Sequence, residues 1–206
     1  MKKLLSFILI TMIVGIASLQ QSTAQIEVGV VGATTFNQVN GDNAMGFGKK
    51  GFTTGLQSNL MFGNRVGLTT GLMFAQKGSI VPEAFQNRST FGAHTSLNYL
   101  EAPLLIRYQS DHGLFMSGGL TFGRLLNATL TSFGEEKVNY ENIEAAFNPW
   151  EIGMQALIGY RINDNLEAAA GWGQSVNNIF TQDIPTKNGM QNQQFLLKLV
   201  YYPKFF

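Results

Sequence analysis

The chain has 206 residues, 45% of them hydrophobic and 12% aromatic, with 14 basic residues, 13 acidic residues and no cysteine. That near-neutral balance argues against a nucleic-acid partner. The missing cysteines exclude a disulfide framework and any thiolate metal centre.

The first 24 residues read as a secretory signal. Lys2 and Lys3 give a positive start, Leu4 to Leu19 an apolar run, and Ser22-Thr23-Ala24 a small-residue site with cleavage expected after Ala24. The apolar run is short for a spanning helix, which needs roughly 20 residues. Cleavage leaves 182 residues, with 12 basic and 13 acidic side chains, expected to form one domain over residues 25–206. No later apolar run approaches spanning length. The hydrophobic residues therefore belong in a core or in alternating strands, and the 23 glycines and the aromatic content favour strands.

Eight segments alternate with period two, the spacing of a strand whose faces meet different surroundings. They are predicted at 26–36, 51–62, 66–77, 95–108, 114–125, 150–162, 166–176 and 193–205. In the fourth, Leu100, Ala102, Leu104, Ile106 and Tyr108 share an apolar face, while Tyr99, Glu101, Pro103, Leu105 and Arg107 share a mixed one. Taken alone, this stretch suits a soluble sandwich with the apolar face inward, or an outer-membrane barrel with the apolar face toward lipid.

The connections separate the two. Gly63-Asn64-Arg65, Gln109–Gly113 and Asn163-Asp164-Asn165 are short turns, whereas Asn37–Lys50, Gly78–His94, Asn127–Pro149 and Asn177–Asn192 are long and polar. Strict alternation of short and long is the pattern of bacterial outer-membrane barrels, with short periplasmic turns and long external loops. The aromatics also sort. Phe36, Phe52, Phe74, Phe122, Trp150, Trp172 and Phe195 fall toward the long-loop end of the apolar faces, and Phe62, Tyr108, Tyr160, Tyr201 and Phe205 toward the other. Two girdles at two lipid–water interfaces account for this. The predicted fold is all-β: an eight-stranded antiparallel up-and-down transmembrane β-barrel, located in the cell outer membrane.

With Gly71-Leu72-Met73-Phe74-Ala75-Gln76-Lys77-Gly78 followed by Tyr99-Leu100-Glu101-Ala102-Pro103-Leu104-Leu105-Ile106-Arg107-Tyr108, the chain resembles the outer-membrane β-barrel domain family that includes the PorT-like proteins. A Gly-rich strand ending in Lys-Gly, then a Tyr-Leu-Glu-x-Pro strand, carries the resemblance. It implies the fold and a membrane setting, and it names no activity, because the family is functionally mixed.

Strand phase turns Glu27, Glu101, Glu151 and Glu167 inward, together with Lys77, Arg107, Arg161 and Lys198. An eight-stranded barrel has room for little beyond its own side chains. Buried charges there are tolerable only when paired, so these eight are expected to form a lumen charge network. Glu101 and Arg107 lie six apart on one face and are expected to pair with neighbouring strands rather than with each other. Gly118-Gly119 and Gly171-Trp172-Gly173 are read as mid-strand small residues making room in the lumen or beside aromatic neighbours. Arg124 falls on the lipid-facing phase at the outer end, within snorkelling reach of lipid phosphates. The loop 128–148 carries Glu135, Glu136, Glu141 and Glu144 against Lys137; it is a solvated loop or a site for cations or a basic partner.

Three functional readings result. The leading one is a non-enzymatic integral outer-membrane barrel with a filled lumen, serving as an envelope anchor, a surface-contact protein or an assembly accessory. Its partners would be the lipid bilayer, the outer-membrane insertion machinery and envelope proteins met through the external loops, with no cofactor. The second is a component of a transport or protein-secretion system, which the PorT-like resemblance allows. The third is an enzyme at the rim, where His94 stands near Asp42 and Asp183 of other loops. His112 is expected at the opposite end, so the two histidines cannot share a metal.

Overall fold

The computed structural model describes residues 25–41, 46–80, 94–131, 146–181 and 189–203. Eight strands, β1 (Gln25–Asn40), β2 (Lys49–Met61), β3 (Val66–Ile80), β4 (His94–Gln109), β5 (Leu114–Thr131), β6 (Trp150–Asn163), β7 (Leu166–Ser175) and β8 (Gln191–Tyr201), pair in sequence order. β1 closes on β8 and every pairing is antiparallel. Closure satisfies every strand edge, the condition for crossing lipid with strands.

Two-residue alternation sets which face is which. Ile26, Val28 and Val30 of β1, Leu104 and Ile106 of β4, and Ile152, Met154 and Ile158 of β6 are exposed on the outer wall. The intervening Val31, Leu105, Arg107, Glu151 and Leu157 are buried in the lumen. Large hydrophobics on the outside with charges at the centre reverse the order of a water-soluble sandwich, and the exposed belt is the surface that meets hydrocarbon. Phe52, Phe122, Trp150 and Phe195 ring this belt near the long-loop end, and Phe62, Tyr108, Tyr160 and Tyr201 near the short-turn end.

Some strand ends differ from the sequence reading. β1 runs on to Asn40 and β5 to Thr131, because pairing continues above the lipid band. In β5 an inserted residue disguises this. Tyr99 pairs with Leu125 and Asn98 with Asn127, which leaves Leu126 as a bulge and flips the phase, so that Ala128 is buried. β8 ends at Tyr201 rather than 205, two residues before Pro203, which has no N–H to continue a ladder. Two of the three short turns rest on glycines at positive φ, Gly63 at 101° and Gly113 at 85°. The segment 1–24 expected to be a secretory signal, Asp42, Asp183, Phe205, Phe206 and the acidic residues 135–144 lie outside the described residues.

Candidate functional site in the barrel lumen

The polar interior is built in two tiers. In the outer tier, register places Glu101 of β4, Gly123 of β5 and Glu151 of β6 side by side at one level. At Gly123 an added Cβ would meet Glu151 and Glu101 at ordinary contact distances of 3.5 and 3.6 Å and the Tyr99 ring more tightly, at 3.3 Å. Lys77 of β3 serves both carboxylates, with Nζ 2.5 Å from Glu101 Oε1 and 2.6 Å from Glu151 Oε1. Asn192 Nδ2 donates to the other oxygen of Glu151 at 2.7 Å. The Tyr99 ring lies 5.3 Å from the Lys77 ammonium.

The inner tier centres on Glu167 of β7. Arg107 donates through Nη2 to Oε1 at 2.6 Å and through Nη1 to Oε2 at 3.1 Å. Arg107 also donates to Gln109 Oε1 and stacks over Phe115 at 3.8 Å. Arg161 pairs with Glu27 at 2.7 Å and reaches Glu167 at 3.7 Å. Tyr202 OH donates to Glu167 at 3.1 Å and accepts from Gln57 Nε2 and Asn59 Nδ2. Among the described residues Lys198 contacts no carboxylate closely enough to form an ion pair. Its Nζ donates to Gln57 Oε1 at 2.5 Å.

Glu101 therefore pairs with the adjacent strand, but Arg107 reaches across the lumen to β7. Tyr202 is not among the residues singled out from the sequence, and its hydroxyl is a hub. The sequence reading also missed a second feature. Above the outer tier, Val39, Leu97, Tyr99, Ala128, Phe147, Ile179, Phe180 and Met190 form one buried apolar cluster. Phe147 and Phe180, from the connections after β5 and β7, form an isolated bridge with their rings 5.4 Å apart, edge to face. Asn178 Oδ1 accepts from the backbone N–H of both Phe180 and Met190 and holds this segment over the barrel mouth. No periodicity marks Phe147, Ile179, Phe180 and Met190, because they lie outside the strands.

The histidines fall at opposite ends. His94 begins β4 at the outer rim, where the Lys49 ammonium donates to its Nε2 at 3.0 Å and to Ser96 Oγ at 3.2 Å. An ammonium has no acceptor, so that ring nitrogen is occupied and not poised as a base. His112 sits in the turn after β4. Among the described residues no group of three His, Asp or Glu side chains is placed to hold a metal. Arg124 lies on the outer wall with its guanidinium 4.8 Å over the Trp150 ring. Two depressions on the lipid-facing wall, of about 890 and 620 Å3, are both lined by Ala170; acyl chains cover that surface in a bilayer.

The family model for the outer membrane protein beta-barrel domain matches residues 19–181. Among solved structures, the attachment invasion locus protein Ail of Yersinia pestis is similar at 14% identity and TM-score 0.51, covering 86% of this chain and 98% of that one. Neisserial surface protein A is similar at 14% identity and TM-score 0.49, covering 86% and 97%. Outer membrane protein OprG from Pseudomonas aeruginosa is similar at 13% identity and TM-score 0.45, covering 89% and 98%. At these identities the likeness concerns the fold. No curated protein matches the chain in sequence.

Proposed function

From the premise that the chain belongs to the outer membrane protein beta-barrel domain family, we propose that it is a non-enzymatic barrel acting as an envelope anchor, surface-contact protein or assembly accessory. The observation that carries this reading is the occupied lumen. Two tiers of ion pairs fill the middle and inner part, and the apolar cluster around Phe147 and Phe180 closes the outer mouth. A barrel filled in this way passes little through its centre, so its work is done by its outer surfaces. Residues 1–24 act as a secretory signal cut after Ala24, and 25–206 form the barrel domain, delivered to the insertion machinery of the outer membrane. The PorT-like resemblance at Tyr99–Tyr108 allows a second reading, a component of a transport or protein-secretion system of the outer membrane.

Affinity capture of the tagged full chain from native envelopes, after crosslinking, tests this reading. Stable co-purification of envelope proteins supports it. A barrel recovered alone that passes solutes in liposome-swelling assays overturns it.

A further inference from the structure

The charges on the outer wall are distributed unevenly between its two ends. Among the described residues, every acid lies in the lumen tiers or in the short turns: Glu27, Glu101, Glu151 and Glu167 in the tiers, Asp111 and Asp164 in the turns. The long-loop end, the external end of such barrels, carries the cations Lys49, Lys50 and Arg124 and no described acid. Lys49 is buried and donates to His94 and Ser96. Lys50 and Arg124 are exposed.

Arg124 stands where the wall changes character. Below it, the outward residues Leu120 and Phe122 of β5, Leu104 of β4, and Ile152 and Met154 of β6 are exposed large hydrophobics. Above it, Asn98 and Asn127 pair across β4 and β5. Register sets Arg124 between Leu100 and Trp150, and its guanidinium lies 4.8 Å over the Trp150 ring. Stacking uses the face of the guanidinium and leaves its five N–H donors at the edge. Among the described residues none of these donors meets an acceptor. An arginine costs little at this depth, where lipid headgroups lie. A guanidinium fork matches two oxygens of one phosphate, whereas a lysine such as Lys50 offers a mobile point charge.

We propose that Arg124, held by Trp150, is the binding site for an anionic phosphate-bearing lipid of the outer leaflet. Two N–H donors of the guanidinium take two oxygens of the phosphate. The acyl chains descend over Phe122 and Ile152, and the polar part of the headgroup faces Asn98 and Asn127. The charge that the wall leaves unpaired is thereby neutralised by lipid rather than by protein.

Quenching of tryptophan fluorescence by brominated acyl chains tests this. The chain has two tryptophans, so Trp172→Phe leaves Trp150 as the single reporter. The refolded full barrel is placed in phosphatidylcholine nanodiscs that contain a small fraction of brominated phosphatidic acid or, in parallel, of brominated phosphatidylcholine. Phosphatidic acid is expected to be enriched beside Trp150 by roughly two- to fivefold over its bulk fraction, the range an exposed charge pair supports. Brominated phosphatidylcholine is expected to show no enrichment. Arg124→Gln should return phosphatidic acid to its bulk level, and Lys50→Gln should leave the enrichment in place. Equal quenching by the two lipids, enrichment that survives Arg124→Gln, or enrichment lost equally in Lys50→Gln overturns the proposal. So does full displacement by excess inorganic phosphate, which would make this a site for a free anion. If Arg124→Gln does not fold, the comparison of the two brominated lipids on the protein that retains Arg124 decides.

Discussion

Arg107 on β4 and Glu167 on β7 meet across the lumen in a two-pronged ion pair, 2.6 and 3.1 Å long, although their strands share no ladder. The guanidinium fork matches the carboxylate. Tyr202 supplies a further donor to the same Glu167, and Gln109 a further acceptor to the same arginine. The pair is thus a strut between opposite walls. Arg107→Ala leaves Glu167 with its main countercharge removed, and breaking a buried pair in this way costs about 3–5 kcal/mol. Ile106, its neighbour in sequence, is 67% exposed on the outer wall, whereas Arg107 is 1% exposed. Ile106→Ala removes only lipid-facing area. The heat-modifiability midpoint on gels is expected to fall far more for Arg107→Ala than for Ile106→Ala. The opposite ranking would mean that the apolar face is a packed core.

Arg65 and Asp111 form a different kind of pair, with Nη2 2.5 Å from Oδ2 at the short-turn end, where both side chains are solvent-exposed. The hydrogen bond and charge of Arg65 hold the Asp111 carboxyl below its ordinary value. A depressed carboxyl contributes stability above the unfolded-state value of about 3.9, and the contribution is lost as pH falls through the folded-state value. Exposed pairs contribute little and are screened by salt. The Asp111 midpoint, followed by NMR in detergent micelles, is expected to rise in Arg65→Ala, with no measurable loss of thermal stability at neutral pH. An unchanged midpoint would show that the two groups do not interact in solution.

Most of the barrel is legible in the sequence because lipid and lumen impose opposite demands on alternate residues. Ile106 and Arg107 could not exchange places without putting a charge in hydrocarbon. The inward phase of Glu27, Lys77, Glu101, Arg107, Glu151, Arg161, Glu167 and Lys198 is readable for the same reason. Their partners are not. Arg107 finds Glu167 three strands away, a choice set by barrel diameter and side-chain reach rather than by local pattern. The extension of β5 was hidden by the bulge at Leu126, which breaks the period on which the reading depends. The apolar lid was hidden because Phe147, Ile179 and Phe180 sit in irregular connections, where a phenylalanine carries no directional signal.

That lid gives a third expectation. Phe147 is buried against Phe180, and truncating a buried phenylalanine costs about 3–5 kcal/mol. Phe147→Ala is expected to lower the unfolding midpoint without creating a pore, because the ion-pair tiers below it remain. Purified wild-type protein and Phe147→Ala should both lack porin-like steps in planar bilayers. Large stable steps in the wild type would contradict the filled lumen. Steps appearing only in the variant would mean that the lid alone closes the channel.

Gly118 and Gly119 provide the sharpest local test, since they are adjacent and face opposite ways. The sequence suggests that both make room in the lumen or beside aromatics, and the structure separates them. At Gly118, opposite Ile106, an added Cβ would meet nothing nearer than the Gln155 carbonyl at 3.9 Å. At Gly119, opposite Leu105, it would come 2.3 Å from the Leu104 carbonyl oxygen and 3.0 Å from Leu105 Cα. Those are backbone atoms of the next strand and cannot rotate aside. Gly119 is therefore required by the close approach of β4 and β5, not by lumen contents. Gly119→Ala must push the strands apart, and overpacking of this kind costs about 1–3 kcal/mol. Gly118→Ala meets open space and also restricts the unfolded chain, which is worth about 0.4–1 kcal/mol where the native conformation is compatible. Urea unfolding in detergent micelles should show Gly119→Ala destabilised and Gly118→Ala unchanged or slightly stabilised. Equal losses at both positions would mean that the β4–β5 ladder is set differently from the register in which Leu105 faces Gly119.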